Sequence, residues 1–412
     1  MSSSEWSTTS SFTTKQSYTA SNEQAKLLAS NGVAGDRLGY SIAMNGNGDT
    51  VIVGAYAADP VGYLQAGSAY VYVRSGATWT QQAILIASDK ANNDYFGYSV
   101  AMSADGNTAV IGACQDDTNK GSAYVFIRIG TSWYQQDKLV DSTGLSNYYF
   151  GCSVSISADG NTAIVGAYAD STVATSAGSV CFFTRSGSSW SRVDKVYASD
   201  AAASDLFGIS VCISGDASTV VVGAYLNDDD GTSSGSAYIF TKPSTQWTQQ
   251  AKLLASDAAD SDNFGRSVSI SNDGNTAVIS AFLDDTTFTD AGSAYIFTRS
   301  GSTWSQYTKI TPTTPVLEHW FGGCISINGN GDTILIGANG DDTKGTNAGA
   351  VFIFTKTAGV WSQQAKLTAS DTATVDYFGY SVSSSADGAF VAVGTVYDDD
   401  KGSNAGAAYI FS

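Results

Sequence analysis

Phe96-Gly97-Tyr98-Ser99-Val100-Ala101-Met102, followed by Asp105-Gly106 and by Thr108-Ala109-Val110-Ile111-Gly112-Ala113, decides the fold of this chain. Two strand-length apolar runs flank an Asp-Gly pair, the strongest short hairpin signal, and predict a tight type I′ turn with two positive φ angles. After a polar loop, Gly121-Ser122-Ala123-Tyr124-Val125-Phe126 reads as a third strand, and the segment from Trp133 through Gln135 to Val140 as a fourth. The unit recurs: an aromatic residue or Leu precedes Gly39, Gly97, Gly151, Gly208, Gly265, Gly322 and Gly379, at steps of 58, 54, 57, 57, 57 and 57 residues. A period of this length over nearly the whole chain marks a repeat architecture. A four-stranded unit with two apolar faces cannot cover itself, so the seven copies predict an all-β, seven-bladed β-propeller of four-stranded antiparallel blades.

The ends predict how the ring closes. The last copy stops after strand three at Phe411-Ser412, and Glu23-Gln24-Ala25-Lys26-Leu27-Leu28-Ala29-Ser30 repeats strand four as it stands at Gln249 to Ser256. An N-terminal strand completing the last blade would remove two open sheet edges. Residues 1–21 read as a Ser/Thr-rich tail without the apolar core of a signal peptide, and residues 22–412 as a single propeller. No apolar stretch approaches the roughly 20 residues a transmembrane helix needs, so membrane insertion is not expected. The five cysteines, Cys114, Cys152, Cys181, Cys212 and Cys324, fall at different repeat positions without metal-type spacing and read as buried small residues.

The pairs Phe96-Gly97 with Gly112-Ala113, Phe150-Gly151 with Gly166-Ala167, and Phe207-Gly208 with Gly223-Ala224 resemble the FG-GAP repeat, the blade of the integrin alpha-subunit head and of many secreted microbial proteins. The resemblance covers residues 22–412 and implies interblade packing of the Phe and Gly residues, a role in adhesion or ligand binding, and an extracellular or cell-surface setting. Two features depart from it. The Pro after Gly-Ala is replaced by Tyr56, Cys114, Tyr168, Tyr225, Phe282 and Asn339, and the calcium loop between strands one and two has collapsed to a tight turn, so that metal site does not transfer.

The net charge of −18 is unevenly placed. Most acids fall in the two-three loops and the interblade loops, which propeller topology puts on one face, where only Arg37, Lys90, Lys120, Lys344 and Lys401 oppose them. Such a field repels nucleic acid and attracts cations. Clustered carboxylates beside Gly-rich backbone can supply the six to eight oxygens of Ca²⁺. The candidate ligands are Asp228, Asp229 and Asp230, Asp398, Asp399 and Asp400, and the pairs Asp116 with Asp117, Asp284 with Asp285, and Asp341 with Asp342. The alternative reading is an acidic surface that maintains solubility.

Trp79, Trp133, Trp190, Trp247, Trp304 and Trp361 recur at one blade position and read as packing rather than a sugar platform. His319 and Trp320 lie in the most individual interblade loop and are the candidate ligand contacts. With one His, no nucleophile elbow and no phosphate loop, catalysis is not expected. The leading expectation is a binding or adhesion module that takes a protein or glycan ligand at the acidic face. The alternatives are a building block of an extracellular filament or coat, through self-assembly, and a carbohydrate-active enzyme or lectin.

Overall fold

Seven four-stranded antiparallel sheets build the protein in the computed structural model, which describes residues 22–412, so the expected tail 1–21 lies outside the described residues. Blade two runs Phe96–Met102, Thr108–Ala113, Ser122–Ile129 and Ser132–Leu139, each strand beside the next. Every residue of Thr108–Ala113 is buried, whereas Ser132–Leu139 is largely exposed or half-buried. Strand two is therefore covered on both faces by neighbouring blades and strand four forms the rim. The cores lie between blades: one cluster joins Ile52 and Val71 of blade one to Phe96, Tyr124 and Phe126 of blade two. Another joins Ala392 and Ile410 of blade seven to Val51 and Tyr72 of blade one, closing the ring.

The repeated glycines mark where adjacent blades touch. A Cβ on Gly54 would meet the carbonyl oxygen of Gly97 at 2.1 Å, and Gly97 has a φ of 91°, so neither position accepts a side chain. Phe96, Phe207, Phe264, Phe321 and Phe378 are fully buried beside these contacts. Closure is as the sequence predicts. The strand Glu23–Leu27 pairs with Ala407–Phe411, with Lys26 opposite Tyr409 and Leu27 opposite Ala408.

The Asp-Gly turns differ from expectation. Among the turn residues of blade two only Gly106 has positive φ, so the turn is not type I′. Ser103 accepts from the Gly106 N–H at 2.9 Å, and the Asp105 carboxylate accepts from Ser103 Oγ at 2.6 Å and from the Asn107 N–H at 2.9 Å. The Asp carboxylate satisfies backbone and hydroxyl donors in a longer loop, as Asp does in turns generally. Successive turns are then linked. Gly46 donates to Ala104, Ala104 to Ala158, Ala158 to Gly215, Asp216 to Asn272, Asn272 to Gly329, Asn330 to Ala386 and Ala386 back to Gly46, at 2.9–3.3 Å. This closed circuit of interblade backbone bonds accounts for the constant length of the one-two hairpins.

Candidate functional site

The acidic two-three loops meet a cation that lies outside the loops: a lysine near the end of strand four in six of the seven blades. In blade five, Lys309 Nζ lies 2.7 Å from both Asp284 Oδ2 and Asp257 Oδ2, and Tyr295 donates to Asp284 at 2.8 Å and to Asp257 at 2.9 Å. Lys138 makes the same contacts with Asp116 and Asp89 beside Tyr124, and Lys26 holds Asp371, Asp398 and Asp400 at 2.7–2.8 Å beside Tyr409. Lys195 joins Asp141 and Asp170, Lys252 joins Asp200 and Asp229, and Lys366 joins Asp341. Burial pushes the Asp284 carboxyl up, but the bonds from Lys309, Thr286 and Tyr295 outweigh it and hold that group below the usual carboxylate range. Burial alone would lower Lys26, yet its three carboxylates raise it.

The remaining candidate acids serve the loops themselves. Asp228, Asp285, Asp342 and Asp399 each accept, at 2.7 Å, the backbone N–H five residues on, from Ser233, Asp290, Asn347 and Asn404. Asp117 pairs with Lys120 at 3.0 Å, and Asp230 is exposed. The expected calcium cages are thus not assembled. Among the described residues no group of three or more His, Cys, Asp and Glu side chains is arranged to hold a metal ion. The physical reason is that the loops of blades two to seven place most of these carboxylates on a lysine ammonium or in loop closure.

Blade one provides an internal control. Ala58 and Ile84 stand where five other blades carry the loop Asp and the strand-four Lys, so the two charges disappear together, whereas blade four keeps Lys252 opposite Asn227 and turns it to Asp200 and Asp229. Blade six shows a second linked exchange. Phe352 replaces the strand-three Tyr, Thr314 replaces the interblade Asp, and His319 stands at the position of Asp262. His319 is 0% exposed, packs edge-on against Phe352 at 5.3 Å between centroids, and meets Asp341 Oδ2 through Nε2 at 2.5 Å. The imidazole expected as a ligand contact is sealed inside blade six, where it replaces the hydrogen bond that Phe352 cannot give.

Trp320, the next residue, lines a different feature, a cavity of about 380 Å³ at the axis of the propeller to which all seven blades contribute. The residue after each Phe-Gly or Leu-Gly glycine faces it: Tyr40, Tyr98, Cys152, Ile209, Arg266, Gly323 and Tyr380. The residue one step further is Ser in six blades and Cys324 in the other. Its side chain donates to the next blade in most copies, as from Ser41 to Gly97, from Ser99 to Gly151 and from Ser381 to Gly39. Adjacent lining positions thus behave oppositely: the serine that also ties blade to blade is repeated, and the residue before it varies.

One wall of the cavity is aromatic. The Tyr40 ring lies 4.4 Å from Tyr56, 4.8 Å from Tyr98 and 5.1 Å from Tyr380 between centroids. Burial pushes the Tyr40 and Tyr98 phenols well above their ordinary range, so both are neutral hydrogen-bonding groups. Burial likewise lifts the neighbouring Cys152 thiol to about 11, which makes it a poor nucleophile at neutral pH. The rim is shaped by backbone. The residue two before each glycine, Arg37, Tyr95, Tyr149, Leu206, Asn263, Trp320 and Tyr377, has φ between 52° and 61°, left-handed at all seven non-glycine positions. Bulky residues seldom adopt that region, and its repetition redirects the chain where each strand one enters the channel.

The FG-GAP repeat matches the sequence at residues 21–72, 79–126, 133–183, 190–240, 247–297, 304–354 and 361–411. No curated protein matches the chain. A solved structure described as the crystal structure of RRP9 WD40 repeats is similar with a TM-score of 0.58 at 10% identity, over 96% of this chain and 99% of that one, which shows likeness of fold alone. With seven matched repeats spread over most of its length, this chain belongs to the FG-GAP repeat family.

Proposed function

We propose that this propeller is a non-catalytic binding module whose ligand seats at the axial cavity, working outside the cell or at its surface. The observation that supports it is the contrast along strand one. Two adjacent positions line the cavity: the one that in most copies also bonds to the next blade repeats as Ser, whereas its neighbour is Tyr, Tyr, Cys, Ile, Arg, Gly and Tyr. A side chain selected for packing would be as uniform as the serine beside it. Variation confined to a concave, partly apolar surface on a rigid scaffold fits ligand recognition. The acidic loops then act as a supporting face, knit by lysines, and adhesion to a protein or glycan remains the family-level expectation for the partner.

Filling the cavity tests this. Ile209→Trp adds bulk inside the axial opening without touching the Lys-Asp clusters. Wild type and variant are compared on peptide and glycan arrays, with turnover of bound glycans measured in parallel. The expected result is that hits of the wild type are lost in the variant at an unchanged melting temperature, with no turnover. Hits that survive the filled cavity would place recognition elsewhere on the protein.

A further inference from the structure

We propose that the axial cavity takes a small organic acid, an aromatic or other planar apolar body carrying one carboxylate, held by Arg266. The inference rests on the cavity being the binding site and names the class of ligand. Six of the seven arginines have assigned side-chain partners. Arg37 meets Tyr56, Arg74 the Gly48 carbonyl, Arg128 Asn107, Arg185 Asn161, Arg192 Asp141, and Arg299 Asn275. Arg266 alone, among the described residues, has no side-chain hydrogen bond and no carboxylate within ion-pair distance. Arg266 is exposed to solvent at the cavity mouth, with its guanidinium 5.9 Å from the Tyr225 ring centroid and 6.0 Å from that of Phe282, and it lines the cavity.

The next blade adds an amide rather than bulk. At the equivalent position blade six carries Gly323, and the Asn339 side chain, which also lines the cavity, takes the space beside it, its Oδ1 2.6 Å from where a Cβ would stand. Beyond it lies the wall of Tyr380, Tyr40 and Tyr98, with adjacent rings 4.8–5.1 Å apart. A guanidinium presents a planar fork that matches a carboxylate through two parallel hydrogen bonds. A carboxylate on Arg266 beside Asn339 directs the rest of the molecule against the tyrosines, whose faces accept a planar apolar body. The acidic exterior does not forbid this. Its inner carboxylates are paired with lysines, and exposed charges are screened beyond about 8 Å at physiological ionic strength. A cationic ligand would have to face the unpaired guanidinium directly.

Three isosteric probes, phenylacetate, phenylacetamide and protonated 2-phenylethylamine, are titrated into the full chain by calorimetry and ligand-observed NMR. Phenylacetate is expected to bind about tenfold tighter than the amide, as a bidentate charge-assisted fork allows, and the ammonium weakest. Arg266→Gln should abolish the preference for the acid while leaving amide binding unchanged, and Arg266→Lys should keep part of it. Melting curves confirm that the variants fold. Equal or tighter binding of the amide or ammonium, a preference that survives Arg266→Gln, or no binding by any probe at millimolar concentration overturns the proposal. In each of those cases, loss of array hits in Ile209→Trp still leaves the cavity as the recognition site.

Discussion

Lys309→Met should destabilise the protein far more than a surface charge substitution does, and a second substitution should restore most of the loss. Lys309 Nζ contacts Asp257, Asp284 and Thr286, each at 2.7 Å. The Asp257 side chain is 41% exposed and its share is small, as for exposed pairs generally, under about 1 kcal/mol. Asp284 is 2% exposed, and methionine fills the space of the lysine stem while leaving that carboxylate without its cation. Removing one partner of a buried pair costs about 3–5 kcal/mol. Asp284 keeps hydrogen bonds from Tyr295 and from the Thr286 N–H, so a loss of about 2–4 kcal/mol is expected. The double variant Asp284→Ala with Lys309→Met removes both charges, as in the uncharged pair that blade one already carries, Ala58 and Ile84. It should cost only about 1 kcal/mol, since neither charge is left behind and Tyr295 can still donate to Asp257. Urea unfolding of the four proteins in the cycle, compared at midpoints with unchanged slope, measures the coupling. A single variant that loses less than about 1 kcal/mol, or a double variant that equals the sum of its singles, would refute the view that these pairs knit the acidic face.

Three further outcomes follow from the same coordinates. Deleting residues 1–20 should change the melting temperature little, whereas deleting 1–30 removes the strand that closes blade seven and strips Asp398 of Lys26, costing several kcal/mol or preventing folding; equal stability of the two truncations would rule out closure by this strand. Burial raises Asp94, Asp262 and Asp376 to about 6, so the folded state binds their protons more tightly than the unfolded chain does, and their contribution to stability falls as pH rises from about 4 through 6. The lysine-paired acids such as Asp284 and Asp371 are lowered and lose their contribution as pH falls below about 4, so the melting temperature should peak near pH 4–5. Asp94→Asn should flatten the decline toward pH 7; a melting temperature that climbs steadily from pH 4 to 7 would contradict this. Millimolar calcium should leave the melting temperature unchanged because lysines occupy the inner carboxylates, and a rise that disappears when Asp228, Asp229 and Asp230 are all replaced by Asn would reinstate a metal site.

The period and the Phe-Gly and Gly-Ala pairs make the propeller readable because each pair answers a local demand, close backbone contact between blades, that every copy must meet. The lysines are harder to read. Lys309 sits in a strand whose residues alternate between half-buried and exposed, and nothing in that pattern says that the ammonium bends over the strand end into the loop face. Sorting charge by loop consequently left the acids without their cations and made the face look like a set of metal sites. His319 misleads similarly, since a lone histidine in an unusual loop looks functional until Phe352 and Thr314 are seen to have changed with it. The signal was present in the comparison of copies. Positions in contact change together, as Ala58 does with Ile84, because losing one charge of a pair leaves the other buried and unpaid. The cavity positions obey neither rule. Tyr40, Tyr98, Cys152, Ile209, Arg266, Gly323 and Tyr380 share one backbone site and differ in size, charge and polarity, while the row beside them changes only once, to Cys324 next to Gly323. Within a seven-fold scaffold, variation that no neighbouring residue answers points to a partner outside the chain, and Arg266, the one arginine without a protein acceptor among the described residues, is where that partner's chemistry is most sharply defined.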